Sequence, residues 1–157
     1  MPRLPRVVCA DYPYHVTQRG NYRQDVFEDD EDREVYMSFF MEYKEKFGVK
    51  LFAYCLMDNH VHFIVEPSTV DGLSRLFSLT HMRYSHYFNK KKGAKGHLWQ
   101  GRFFSSPLDR VHLYEAIRYV ELNPLRAGIS SDFKDYSWSS LHVHLLGKGR
   151  CDVDSIS

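Results

Sequence analysis

Residues 49–67 read VKLFAYCLMDNHVHFIVEP, and this stretch decides the fold. Its first part, Val49 to Met57, is a nearly continuous apolar run that predicts a strand. Asp58-Asn59 is a tight turn, because short polar side chains bond to their own backbone and tolerate unusual dihedrals. His60 to Glu66 reads as a second strand, ended by Pro67. Side chains alternate along a strand. Val61, Phe63 and Val65 therefore fall on one face, and His60, His62, Ile64 and Glu66 on the other.

Upstream of this hairpin, Asp30 to Phe47 predicts a helix. Tyr36, Phe39, Phe40, Tyr43 and Phe47 recur at the i, i+3, i+4, i+7 spacing of one buried face. Its first turn is acidic, which suits the positive end of the helix dipole, and Gly48 supplies a stop. Tyr14 to Arg19 is a short strand ended by Gly20-Asn21. Downstream, Asp71 to Lys90 predicts a second helix, with Leu73, Leu76, Phe77, Thr80, Tyr84 and Tyr87 as its buried stripe. Phe103 to Leu108 is a fourth strand. A third helix begins near Arg110 and stops at Asn123, because Pro124 disfavours helical geometry in the residue before it. The order β-α-β-β-α-β plus one helix is the split, ferredoxin-like α+β order, with the His60–Glu66 strand inside the sheet.

The 157 residues suit one domain over 1–157, with a core at about 12–128 and a weakly patterned tail at 129–157. Hydrophobic residues at 43% and charged residues at 26% describe an ordinary globular chain. The longest apolar run, Leu51 to Met57, is far short of the roughly 20 residues of a membrane span, and no signal peptide is expected. Cys9, Cys55 and Cys151 form no CxxC and fit reduced thiols. A cytoplasmic protein is expected.

The formal net charge of +1 hides an asymmetry. Residues 1–24 carry net +3 and residues 75–126 net +7, whereas 25–50 carry −5 and 51–74 carry −3. If the two basic segments converge, they form a polyanion-binding face.

His60-Val61-His62 places two imidazoles on one strand face, a pattern that either anchors a metal or leaves two surface histidines. His142-Val143-His144 has the same spacing but lies in the tail, where it reads as a chance or structural pair. Tyr119 and Asn123 are four apart and share a helix face. They flank the apolar stripe of Leu113, Ala116, Ile117 and Val120. Two histidines, one amide oxygen and a nearby phenol fit a metal-assisted attack on a phosphodiester. An edge aromatic and a helix cap explain Tyr119 and Asn123 equally well at this point.

Four segments in order carry a specific resemblance. They are Tyr14-His15-Val16-Thr17-Gln18-Arg19-Gly20-Asn21, Leu56 to Val65, Leu98-Trp99-Gln100-Gly101-Arg102-Phe103, and Tyr119 to Gly128, with Trp138-Ser139-Ser140 also fitting. Together they resemble the insertion-sequence-type single-tyrosine HUH transposases, particularly the branch associated with repetitive extragenic palindromes. The resemblance implies a DNA transposase or nickase acting on single-stranded or hairpin DNA through a 5′-phosphotyrosine, with Mg²⁺ or Mn²⁺ as cofactor. It implies His60 and His62 as metal ligands, Tyr119 as nucleophile and Asn123, where many relatives have Gln, as third ligand. It makes Arg19, Arg23 and Arg102 DNA contacts, and it implies a homodimer in many members. Arg75 and Arg83 on the second helix are read either as phosphate contacts or as solvated charges. A DNA- or RNA-hairpin binding protein without catalysis is the alternative.

Overall fold

The computed structural model describes residues 7–156. Arg3 and Arg6, half of the basic residues expected near the start, lie outside the described residues. Four strands form one sheet in the order β2-β3-β1-β4, every neighbour antiparallel. They are β1 (Tyr14–Arg19), β2 (Val49–Leu56), β3 (His60–Pro67) and β4 (Phe104–Pro107). Helices α1 (Asp30–Phe47) and α2 (Gly72–Lys92) are the two crossovers, and α3 (Arg110–Glu121) follows β4. This is the ferredoxin-like α+β arrangement, with β3 inside the sheet.

The local chemistry explains the boundaries. Asp29 caps α1 by accepting from the Asp32 amide at 2.8 Å, and three acids occupy the first turn. Gly48, at φ 64°, takes the left-handed conformation that ends the helix. Asp109 caps α3 by accepting from the His112 amide at 2.8 Å.

The two faces of the sheet are covered unequally. On one face α1 and α2 enclose Val16, Tyr36, Phe40, Phe63, Leu76 and Phe77 in the larger core. On the other, α3 packs on β2 and β3 through Leu113, Ile117 and Val120, against Phe52, Ala53, Cys55 and Ile64. A register shift between Leu51 and Ala53 moves β2's side chains from one alternation to the other. Because both faces of β2 are covered, its sequence is apolar apart from the exposed Lys50 and conceals that bulge. The β1–β4 half of the α3 face is left open.

One expectation is corrected. The third helix does not run to Asn123: α3 ends at Glu121, and Asn123–Arg126 forms a separate short helix, α4, with Pro124 near its start. Proline is accepted there because the first amides of a helix have no partner. The weakly patterned tail is packed against the sheet. It runs along the outer edge of β2, where Leu56 N donates to Trp138 O at 2.9 Å and Ser140 N to Tyr54 O at 2.9 Å. Farther along, Asp154 N donates to Leu51 O at 2.7 Å, and Asp154 Oδ2 accepts from Leu51 N at 2.8 Å. An otherwise unpaired sheet edge is thereby closed.

Helix α5 (Leu141–Leu146) ties this tail to α3. Buried Glu121 accepts from the Ser140 hydroxyl and pairs with His144 Nδ1 at 2.6 Å. His142 Nε2 meets the Tyr136 carbonyl at 2.9 Å. The second HxH is thus structural.

Candidate active site

The site forms where the cover of α3 ends. Burial along β3 falls toward the turn: Ile64 is enclosed, His62 is 7% exposed and His60 is half-buried. On neighbouring β1, Thr17 lies opposite His62 and Arg19 opposite His60. Opposed residues share a sheet face, so His15, Thr17 and Arg19 join the two histidines.

The ring nitrogens are arranged unequally. His60 Nδ1 lies 2.7 Å from Asn59 Oδ1. His62 Nδ1 lies 3.1 Å from His15 Nε2. Both contacts occupy Nδ1 and leave Nε2 toward the site, the pattern in which a second partner fixes a ligating imidazole. Burial holds all three rings below the usual histidine range. His62 is pushed down to about 3 by burial and then by the neighbouring His60, His15 and Arg19. His60 is lowered by burial and by Arg19, and His15 by burial. Neutral imidazoles at physiological pH keep the lone pair that a metal requires.

Helices α3 and α4 bring the other two groups. The ring of Tyr119 is 6.1 Å from that of His62 and 6.4 Å from that of His15, nearly edge-on to both. Tyr119 is 43% exposed and accessible to a strand of nucleic acid. Asn123 Nδ2 lies 3.5 Å from His62 Nε2. Rotating that amide by half a turn presents Oδ1 at the same place. The break at Leu122 does not remove Asn123 from the site, because α4 starts at that residue.

Among the described residues no group of three or more His, Cys, Asp or Glu can hold a metal ion. A divalent ion here would therefore need the His60 and His62 Nε2 atoms together with the Asn123 amide oxygen. The donor chemistry fits: two neutral imidazoles and one amide leave the charge of the ion undiminished for a phosphate.

A cleft of about 240 Å³ extends from these histidines, lined by Thr17, Arg19, Gln100, Arg102 and Phe104. Arg19 and Arg102 thus meet there, one from each basic segment. Arg23 is exposed nearby, and its carbonyl accepts from the Asn59 amide group at 3.3 Å. The structure does not bring Arg75 and Arg83 to this cleft. Arg75 pairs with Asp71 at 2.9 Å. Arg83 pairs with Glu42 and stands 4.2 Å over the Phe39 ring. Lys91 meets Asp32 at 2.9 Å and Lys92 meets Glu28 at 2.7 Å. The acidic segment therefore neutralises much of α2, and the basic run from 75 to 126 is not one surface.

The sequence reading missed His15, Asn59, Phe104 and Arg126 as site neighbours. The Arg126 guanidinium lies 4.7 Å over the Tyr119 ring. His15 was readable only with the β1–β3 register, which places its alternation on the face of His62.

The sequence model of the family described as "Transposase IS200 like" matches residues 9–123. The chain belongs to that family. Among solved structures it resembles the REP-associated tyrosine transposase bound to a REP hairpin, with a TM-score of 0.72 at 18% identity. That likeness covers 100% of this chain and 92% of the other. It also resembles a Deinococcus radiodurans R1 protein assigned as a transposase, with a TM-score of 0.52 at 20% identity. That match covers 76% of this chain and 96% of the other. At these identities the likenesses speak to the fold. No curated protein gives a significant match. The IS200-like transposase assignment makes the protein a transposase acting on DNA. No described helix is long and apolar enough to cross a membrane.

Proposed function

We propose that this transposase cuts and rejoins single-stranded DNA at hairpin-associated sites, with Tyr119 as nucleophile. The observation that carries the reading is the convergence of three separate elements: His60 and His62 from β3, Tyr119 from α3 and Asn123 from α4. Tyr119 Oη attacks the scissile phosphorus and the bond to the 3′ oxygen breaks. The phenol loses its proton to solvent, and the departing oxygen takes one up as a free 3′ hydroxyl. The 5′ phosphate stays on Tyr119. One phosphodiester is exchanged for another, so a second 3′ hydroxyl can reverse the step onto a new strand without added energy.

His60, His62 and Asn123 would hold a divalent ion, Mg²⁺ or Mn²⁺. Bound there, it supplies Lewis-acid polarisation of a phosphate oxygen. Arg19 and Arg102 hold the neighbouring backbone phosphates, and Arg126 fixes the Tyr119 ring while adding positive charge beside it. His15 and Asn59 orient the two histidines. All these groups lie in one chain, which supports cleavage by the chain's own tyrosine in a monomer or a homodimer.

The test is incubation with a single-stranded palindromic DNA pool and Mg²⁺, followed by denaturing electrophoresis and mass spectrometry. The expected adduct maps to Tyr119. Tyr119→Phe should abolish it and keep DNA binding, while Tyr114→Phe should preserve it. An adduct on another tyrosine would overturn the mechanism. Hairpin binding with no adduct from the wild-type protein would establish the binding-only alternative.

A further inference from the structure

Tyr22 and Arg23, which follow β1, both stand in the left-handed backbone region, at φ 55° and φ 58°. That geometry crowds Cβ against the carbonyl, and a residue with a side chain keeps it only where the surrounding structure imposes it. Both residues are exposed, Tyr22 at 93%, so burial of these side chains does not hold the turn.

Backbone bonds hold it instead. Arg23 N donates to Gly20 O at 2.9 Å and Gln24 N to Asn21 O at 3.1 Å. Gly20 N donates to Asn59 O at 2.8 Å, and Asn21 N to Leu98 O at 2.7 Å, which ties the turn to two other segments. Position 20 has no room for a side chain, because a Cβ there would stand 2.2 Å from the Gln24 carbonyl oxygen. The outcome is a carbonyl aimed at the β2–β3 turn: Arg23 O accepts from Asn59 Nδ2 at 3.3 Å.

The polarity of the following links is then forced. A backbone carbonyl only accepts, so the Asn59 atom beside it is the NH₂ group. Asn59 Oδ1 is thereby turned to His60 Nδ1, 2.7 Å away, and an amide oxygen also only accepts. The proton of a neutral His60 must sit on Nδ1, and Nε2 must carry the lone pair. An unconstrained histidine side chain favours the opposite form, with the proton on Nε2. The contact between His62 Nδ1 and His15 Nε2 at 3.1 Å has no such anchor, because either ring can be the donor.

We propose that the left-handed turn at Tyr22–Arg23 is a tautomer lock, with Asn59 as the positioning residue through which it holds the His60 Nε2 lone pair ready for a divalent ion. The proposal rests on the reading of His60 as a metal ligand. It gives the strained turn a purpose in the site although neither of its side chains touches the imidazole.

The lock is read without DNA. Long-range proton–nitrogen NMR of the metal-free protein at neutral pH shows which ring nitrogen of His60 bears the proton, and His60→Gln identifies its signals. Mn²⁺ alone is then titrated in by calorimetry. The wild-type protein should show His60 with the proton on Nδ1. Asn59→Leu keeps the shape of the side chain and removes the acceptor; it should move the proton toward Nε2 and weaken Mn²⁺ binding about tenfold or more. Asn59→Asp, whose oxygens accept whichever way the group turns, should restore the Nδ1 proton. Two variants at the exposed Arg23 test the turn. Arg23→Gly removes the side chain and keeps the left-handed carbonyl, so the tautomer should persist. Arg23→Pro fixes φ near about −65° and forbids the turn, so the tautomer should be lost. Melting curves check each fold, and the wild-type spectrum needs no variant. A wild-type His60 protonated on Nε2, or a folded Asn59→Leu or Arg23→Pro protein with unchanged tautomer, would overturn the lock. The expected tautomers in a wild-type protein that binds no Mn²⁺ would support the lock and overturn the metal reading alone.

Discussion

His81 should make the protein sensitive to acid in a way one substitution can isolate. It is 7% exposed, stacked among Tyr36, Phe77 and Trp99, and burial pushes its pKa down to about 3. An unfolded histidine titrates near 6.5. The folded state therefore binds fewer protons than the unfolded state between those values. The stabilisation is fully present above about pH 6.5 and is lost as pH falls toward 3. At about 1.4 kcal/mol per pH unit, moving from pH 7.5 to pH 5 removes about 2 kcal/mol through this group. The substitution is His81→Gln, whose amide oxygen can still accept from Tyr36 Oη. The assay is urea unfolding at the two pH values, followed by the fluorescence of Trp99 and Trp138, both buried. The wild-type protein should lose about 2 kcal/mol more than the variant over this interval. His15, His60 and His62 titrate in both proteins and cancel. An equal pH dependence in the two proteins would show that His81 is not held neutral by the fold.

Three further outcomes are expected. His60→Ala and His62→Ala should each lower adduct yield by about a hundredfold or more while leaving hairpin affinity nearly unchanged, and His142→Ala should do neither; the same denaturing gel reads all three. Mixing Tyr119→Phe with His62→Ala protein should not restore cleavage, since the proposed site takes its tyrosine and histidines from one chain; recovery of adduct in the mixture would refute that. The dependence of log affinity on log salt should lessen by about one phosphate contact for Arg19→Ala or Arg102→Ala, with Arg83→Ala unchanged because Glu42 already holds that charge.

The elements with strong local signals were legible. Asp29, the acidic first turn and Gly48 bound α1 at both ends, and Asp58-Asn59 marks the β2–β3 hairpin. The tail was illegible because it is held by backbone bonds and by the oxygens of Ser140 and Asp154 rather than by a periodic apolar face. The break at Leu122 was hidden for a related reason: Pro124 announces an interruption, but a proline equally suits the first turn of a new helix. At the site, His60, His62, Tyr119 and Asn123 come from two short segments with clear spacing. His15 depends on strand register, and Arg126 on the turn between α3 and α4, neither of which has a local signature. Net charge by segment misled about α2, because pairing between Lys91, Lys92 and the acids of α1 appears only once the two helices lie side by side.

The unequal cover of the sheet accounts for both the stability and the chemistry of the site. Helix α3 buries Ile64 completely but leaves His62 at the margin and His60 partly in solvent. That position desolvates the imidazoles enough to keep them neutral, yet leaves Nε2 reachable from the cleft. The same packing places the proposed nucleophile. Leu113, Ile117 and Val120 fix the rotation of α3 against β2 and β3. Tyr119, one residue before Val120, is therefore set beside His62 by the apolar stripe, with the Arg126 guanidinium over its ring. Ser139 Oγ donates to the Glu121 carbonyl at 3.0 Å, and Glu121 pairs with His144, so the tail secures the C-terminal end of the same helix. A loss of volume at Val120 lets α3 rotate or settle, and such a shift at the phenol is large against the alignment that in-line attack requires. On the proposed mechanism, the second core contributes to catalysis by aligning Tyr119.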